Sequence, residues 1–376
     1  MKTVELGSVA TIDRKGVDPG TIPPETLYLG LEHIERGGRI TGRDTVGRSE
    51  LASTKFAFTE DHVLFGKLRP NLGKISRPGF AGVCSTDILP IRPGPDLDRN
   101  YLAHYLAQPS MVDFAASRTS GANLPRLSPT VLATFPITLP PLAEQRRIAA
   151  ILDHADALRA KSRQVLDHVD SLARSIFHDM FGERAWPTEK LGDRLLFLTS
   201  GSRGWAKFYA ADGDKFIRIQ NVRSGYLDQR DMAFVSAPET AEARRTAVQP
   251  GDVLLSITAD LGRTAVVPDG LGRAFINQHL AILRAPSVAP RYLADFLSSP
   301  AGQREILGKD RGATKAGLNF DDVRSVTLPI PPLKLQTDYA ERVDRINAQR
   351  ATVLAAIEAG EGLFNSLQVR AFRGEL

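Results

Sequence analysis

Beyond Pro140 and Pro141 the chain has no proline or glycine until Gly182, and apolar residues recur at Ile148, Ile151, Ala155, Leu158, Val165, Val169, Leu172 and Ile176. The steps alternate between 3 and 4, and only Ser162 interrupts them. This is the narrow seam of a coiled coil and predicts one long helix across 140–182. Pro141 suits its first turn, where the missing N–H has no partner to lose. At about 1.5 Å per residue, roughly 40 residues make a rod of about 60 Å. A second run, 331–376, carries Tyr339, Val343, Ile346, Val353, Ile357, Phe364, Leu367 and Ala371 at similar spacing, with Arg350 and Gly360 as imperfections. Neither rod can hide its own seam, so the two are expected to pack on each other as an antiparallel coiled coil.

The remaining chain reads as short strands broken by glycine and proline, such as 61–65 and 252–257, with short helices near 101–106 and 292–297. These parts form a repeat. Tyr101-Leu-Ala-His-Tyr-Leu-Ala-Gln-Pro109 returns 191 residues later as Tyr292-Leu-Ala-Asp-Phe-Leu-Ser-Ser-Pro300. At the same offset Gly121 meets Gly312, Leu127 meets Leu318, and Pro140-Pro141-Leu142 with Gln145 meets Pro331-Pro332-Leu333 with Gln336. A period of this length is a duplicated domain and not a solenoid unit. The fold class is therefore α+β: two mixed α/β domains, 1–139 and 183–330, each followed by a long helix, 140–182 and 331–376.

Composition then narrows the function. Lys+Arg number 48 and Asp+Glu 43, a net charge of +5. Each long helical segment carries six basic and six acidic residues, so the whole excess lies in the two globular domains. A mild basic excess there permits a nucleic-acid partner. Cys84 is the only cysteine, which excludes an internal disulfide and a cysteine-built metal site. The first residues lack the apolar stretch of a signal peptide and no run is long enough to span a membrane, so a cytoplasmic protein is expected. There is no P-loop, no Gly-rich dinucleotide loop and no His pair at metal-binding spacing. The expectation is a binding protein with no catalytic residues, no metal and no cofactor of its own.

The order of parts resembles the specificity subunit of Type I restriction-modification enzymes. The resemblance covers the whole chain and rests on Leu139-Pro-Pro-Leu-Ala-Glu-Gln-Arg-Arg-Ile148, Leu328-Pro-Ile-Pro-Pro-Leu333 and Ala371-Phe-Arg-Gly-Glu-Leu376. It implies that each globular domain recognises one half of a bipartite, asymmetric site in double-stranded DNA. It further implies that the helix pair sets the spacing and docks two methyltransferase subunits, with restriction (translocase) subunits completing the complex. S-adenosylmethionine, ATP and Mg would then be bound by those partners. The competing reading is a duplicated DNA-binding scaffold or transcriptional regulator that acts without a methyltransferase.

Phosphates are met by Lys, Arg and backbone N–H groups, and base edges by Arg, Lys, Asn and Gln. In the first domain the DNA-facing candidates are Lys67, Arg69, Asn71 and Lys74 in a turn after a strand, and Arg118, Gly121, Asn123 and Arg126 in a later loop. In the second they are Arg203, Lys207, Arg218, Gln220, Asn221, Arg263, Arg311, Gly312, Thr314 and Lys315. The helix-pair or partner interface is expected at Gln145, Ile148, Ile151, Leu158, Val165 and Leu172, and at Gln336, Ile346, Val353, Ile357 and Leu367.

Overall fold

The computed structural model describes residues 2–376 apart from Glu50, Ala52, Glu183, Ser224 and 310–316. It divides into two units, residues 1–164 with 354–376, and residues 165–353. Its landmarks are helices α1 (Arg99–Leu106), α2 (Leu142–Phe181), α3 (Pro290–Ser298) and α4 (Leu333–Arg373), and strands β1 (Val63–Gly66), β2 (Ile88–Pro93), β3 (Val253–Ser256) and β4 (Leu280–Arg284). Each unit holds one globular domain and a part of each long helix.

In the first unit an antiparallel sheet runs in the order Ala10–Ile12, β2, β1, Ile75–Ser76. All of β1 is buried, which is why its sequence is a continuous apolar run without alternation. One face packs on Tyr101, Leu102 and Leu106 of α1, together with Leu127, Leu132, Phe135 and Ile137. The other buries Leu64 and Ile88 against Leu29, Phe58 and Cys84, where a five-stranded sheet contains the parallel pair Leu27–Leu29 and Gly82–Cys84. Burial pushes the Cys84 thiol up, so it stays protonated and unreactive. Asp98 caps α1 by accepting from the N–H groups of Asn100 and Tyr101 at 2.9 and 3.0 Å.

The second unit repeats this plan. Its sheet runs Phe197–Ser200, β4, β3, Thr264–Val266, the same order built from the corresponding strands. A further sheet ends in the parallel pair Asp214–Ile217 and Ala274–Ile276, packed on Trp205, Phe216 and Phe275. In both units a two-stranded clip leads into the long helix: Lys2–Glu5 pairs with Pro136–Leu139, and Thr188–Lys190 with Thr327–Pro329.

The long helices are antiparallel in each unit. In the first, Arg159 and Arg163 of α2 pair with Glu361 of α4, Arg159 lies 4.2 Å from the Phe364 ring, and Arg147 donates to the Leu376 carbonyl at 3.0 Å. In the second, Arg350 donates to Asp170 at 2.7 Å, and Phe177 and Phe181 meet Tyr339 with ring centroids 5.5 and 5.3 Å apart. On α4 the predicted row faces inward, with Tyr339, Val343, Ile346 and Ala371 buried and Val353, Ile357 and Leu367 half-buried.

On α2 the predicted row is corrected. Leu158, Val165 and Leu172 are 55%, 41% and 47% exposed. The inward row is Leu152, Ala155, Arg159, Ser162, Leu166, Val169, Ala173 and Ile176, which keeps the 3,4 spacing but moves alternate positions one residue along. Leu152 is fully buried where Ile151 is half-buried, while Ile148 is buried in the domain core. The larger apolar side chain at 158 misleads the pattern. Arg159 takes the inward place because Glu361 and the Phe364 ring meet its charge there.

Candidate nucleic-acid interface

After β1 the chain makes a tight turn. Arg69 takes the left-handed conformation (φ 50°, ψ 60°), Pro70–Leu72 form one 3-10 turn, and Gly73 is again left-handed at φ 57°. Lys67 N–H donates to the Asp87 carbonyl at 2.9 Å, Arg69 N–H to the Pro125 carbonyl at 2.8 Å, and Leu127 N–H to the Lys67 carbonyl at 3.0 Å. The two basic stretches read separately from the sequence, 67–74 and 117–126, are thereby one surface. Ser120 and Arg126 exchange both backbone bonds and close a loop with Gly121 and Asn123 at its exposed tip. Gly121 has φ 97°, and a Cβ there would sit 3.1 Å from the Leu124 carbonyl, so the loop itself requires the glycine.

The side chains divide into held and free. Arg126 gives two hydrogen bonds to Asp87, at 2.9 and 3.3 Å, which with the carboxylate charge hold its guanidinium firmly protonated. Arg118 lies 3.4 Å from the centre of the Phe114 ring and donates to the Phe114 carbonyl. Lys74 donates to the Leu31 carbonyl at 2.7 Å. Lys67, Arg69, Asn71 and Asn123 have no hydrogen bond or ion pair through their side chains among the described residues, and all but the half-buried Lys67 are exposed.

The second unit builds a corresponding turn, one residue shorter and without the 3-10 segment. Ile257 N–H donates to the His279 carbonyl and Leu318 N–H to the Ile257 carbonyl, both at 2.9 Å. Ala259 is left-handed at φ 67° and Gly262 at φ 81°. Arg263 is ion-paired with Asp260. Arg311, Gly312, Thr314 and Lys315 lie outside the described residues. Sequence reasoning missed Thr258, Gln278 and His279, which flank this turn; Thr258 Oγ1 and His279 Nδ1 are 2.6 Å apart. The duplication carried the signal, since His279 stands just before β4 as Asp87 stands just before β2.

Arg203 immediately precedes a 3-10 segment, Gly204–Phe208, that carries the exposed Lys207 and is anchored by buried Trp205. Ser202 bridges to Asn277, which brings Arg203 beside the end of the His279 strand connection. Gln220 is exposed, and Arg218 donates to the Asp231 carbonyl at 2.8 Å. Asn221 departs from expectation. It is 1% exposed, accepts from Arg218 N–H at 2.9 Å and donates to the Asp228 and Asp231 carbonyls at 3.2 Å. Its amide is consumed in holding the 218–231 loop and is not offered to a base.

Gln145 and Gln336, expected at the helix pair or a partner, are also relocated. Buried Gln145 donates to the Asp96 and Pro140 carbonyls, both at 2.9 Å, and accepts from Asp98 N–H at 2.8 Å. Gln336 donates to the Pro331 carbonyl at 2.8 Å and accepts from Ala289 N–H at 2.9 Å. Each fastens the start of a long helix to the loop that opens its own domain's short helix.

No helix is long and apolar enough to cross a membrane, and no group of three or more His, Cys, Asp or Glu suited to a metal occurs, both among the described residues. Residues 1–168 match the model of the Type I restriction modification DNA specificity domain family. The Type I restriction enzyme EcoKI specificity subunit of Escherichia coli (strain K12) is 26% identical over 315 residues, covering 76% of this chain and 67% of the relative. The EcoDI specificity subunit of Escherichia coli is 29% identical over 163 residues, covering 42% and 36%. The chain thus spans two thirds of the first relative's length and about a third of the second's. The crystal structure of the Type I restriction-modification system S subunit from M. genitalium has the same fold, with a TM-score of 0.61 at 14% identity over 99% of this chain and 96% of that one. With residues 1–168 matching the DNA specificity domain and the same sheet order repeated in the second half, the chain is similar to the Type I restriction-modification specificity subunits.

Proposed function

We propose that the chain supplies DNA sequence specificity to a Type I restriction-modification complex, each globular domain reading one half of a bipartite, asymmetric site. The observation that carries this reading is the duplicated domain, whose first copy matches a DNA specificity family and whose two copies tie the turn after a central strand to a later stretch of chain by matching backbone bonds. Lys67, Asn71, Arg118, Gly121, Asn123 and Arg126 face DNA in the first half; Arg203, Lys207, Gln220, Arg263, Arg311, Gly312, Thr314 and Lys315 do so in the second. Cations and backbone N–H groups fix the phosphates, and the amide side chains reach base edges.

The chain is the non-catalytic component. Two methyltransferase subunits bind S-adenosylmethionine and methylate adenine, and restriction subunits bring ATP and Mg, all in the cytoplasm. The exposed Leu158, Val165 and Leu172 of α2 give those partners an apolar surface. The helices, 40 and 41 residues long, set the spacing between half-sites; at about 1.5 Å per residue each exceeds the roughly 34 Å of one DNA turn.

Mapping methylated adenines in cells with and without the gene tests the proposal. A split motif that disappears on deletion is the expected result. An unchanged pattern would instead fit a regulator that acts without a methyltransferase.

A further inference from the structure

We infer that Arg69 is a base-reading residue of the first domain, presented by a strained turn to a guanine in the major groove. Among the described residues only Arg69 and Ala259 combine a side chain with a positive φ, at 50° and 67°. They are equivalent. Each is the third residue after its strand, β1 or β3, and a left-handed glycine closes each turn, Gly73 four residues after Arg69 and Gly262 three after Ala259. A glycine would adopt this conformation without strain, yet neither domain has one there. Strain that recurs at one place in two domains of different sequence belongs to the turn's design, and such outliers gather at ligand-contacting sites.

The surroundings fix the backbone of Arg69 and leave its side chain free. Its N–H donates to the Pro125 carbonyl at 2.8 Å, its carbonyl accepts from Leu72 N–H at 3.0 Å, and Pro70 restricts the next φ. Three neighbouring cations are engaged, Arg126 by Asp87, Arg118 by Phe114 and Lys74 by the Leu31 carbonyl, while the unpaired Lys67 is half-buried. The Arg69 guanidinium alone among these arginines is exposed and unpartnered. A phosphate contact asks only for charge within reach, whereas the two-pronged bond from arginine to guanine O6 and N7 asks for a fixed direction of approach. The turn supplies that direction. At Ala259 the corresponding turn presents a methyl group, so reading in the second domain passes to the neighbouring Thr258, Gln278 and His279.

The inference rests on the proposed specificity function, and one experiment separates the two. The full chain is expressed with its methyltransferase partners as wild type, Arg69→Gly and Ala259→Gly, beside a strain lacking the gene, and methylated adenines are mapped. Arg69→Gly keeps the turn and removes the reader. The expected result is one guanine position in one half-site relaxed at least 10-fold, with the other half-site and the Ala259→Gly motif unchanged. A wild-type motif for Arg69→Gly, a uniform fall in methylation without a change of motif, or equal relaxation by Ala259→Gly would overturn it. If the strain lacking the gene keeps the wild-type pattern, the specificity function itself fails.

Discussion

In the first unit Gln145 fastens the start of α2 to the loop that opens α1, and in the second Gln336 fastens α4 to the loop that opens α3. Further into those short helices the units part. On α1, Asn100 and His104 bond to Asp153 of α2, at 3.2 and 2.7 Å, and Arg77 joins them. At the matching positions of α3, Arg291 and Asp295 pair with each other at 2.6 and 2.7 Å, and Tyr339 of α4 donates to Asp295. Burial lifts the Asp295 carboxyl, and Arg291 and Tyr339 counter it. The task is the same in both, joining a short helix to a long one, yet the residues are unlike. What the halves share is a set of bonds to main-chain groups; what they vary is side chain to side chain.

That contrast sets the sizes of the expected effects. Arg291→Ala leaves a buried carboxylate without its partner and should cost about 3–5 kcal/mol, whereas Asn100→Ala should cost about 1 kcal/mol. Both tryptophans, Trp186 and Trp205, lie in the second unit, so their fluorescence in urea reads the first of these. Hydrogen exchange across α1 reads the other, and equal losses would erase the contrast. On α2, Leu152→Ala should cost about 2–5 kcal/mol, while Leu158→Ala should stay within about 0.5 kcal/mol. Unfolding midpoints that reversed this order would restore the seam read from the sequence. Gln145→Ala strands one N–H and two carbonyls and should cost about 2 kcal/mol, with Gln336→Ala somewhat less for one bond fewer.

The smallest effect is one of pH. Burial alone would raise the Asp153 carboxyl, but hydrogen bonds from His104 and Arg77 outweigh it and hold the group below its ordinary value of 3.8. A depressed carboxylate stabilises the fold above its unfolded value, and the contribution is lost as pH falls through the folded one. The first unit should therefore weaken below about pH 4, and Asp153→Asn should remove that part. Urea midpoints by circular dichroism down an acid series check it.

The duplication, the fold class and the antiparallel helices are legible in the sequence because periodicity and repeated motifs are local signals. The α2 seam is less so. Hydrophobic pattern favours Leu158, and only the distant Glu361 and Phe364 make Arg159 the inward residue. Asn221 has a base-reading side chain whose three bonds inside its loop no sequence pattern announces. The basic stretches 67–74 and 117–126 are each readable alone. Their union depends on backbone bonds such as Arg69 to Pro125, which sequence spacing does not encode.

The central claim is that each domain reads its own half-site. Replacing residues 183–330 with the corresponding segment of a Type I specificity subunit, then mapping methylated adenines, tests it directly. One half of the split motif should change to that of the donor while the other half stays as in the parent. A motif altered in both halves, or in neither, would contradict the account.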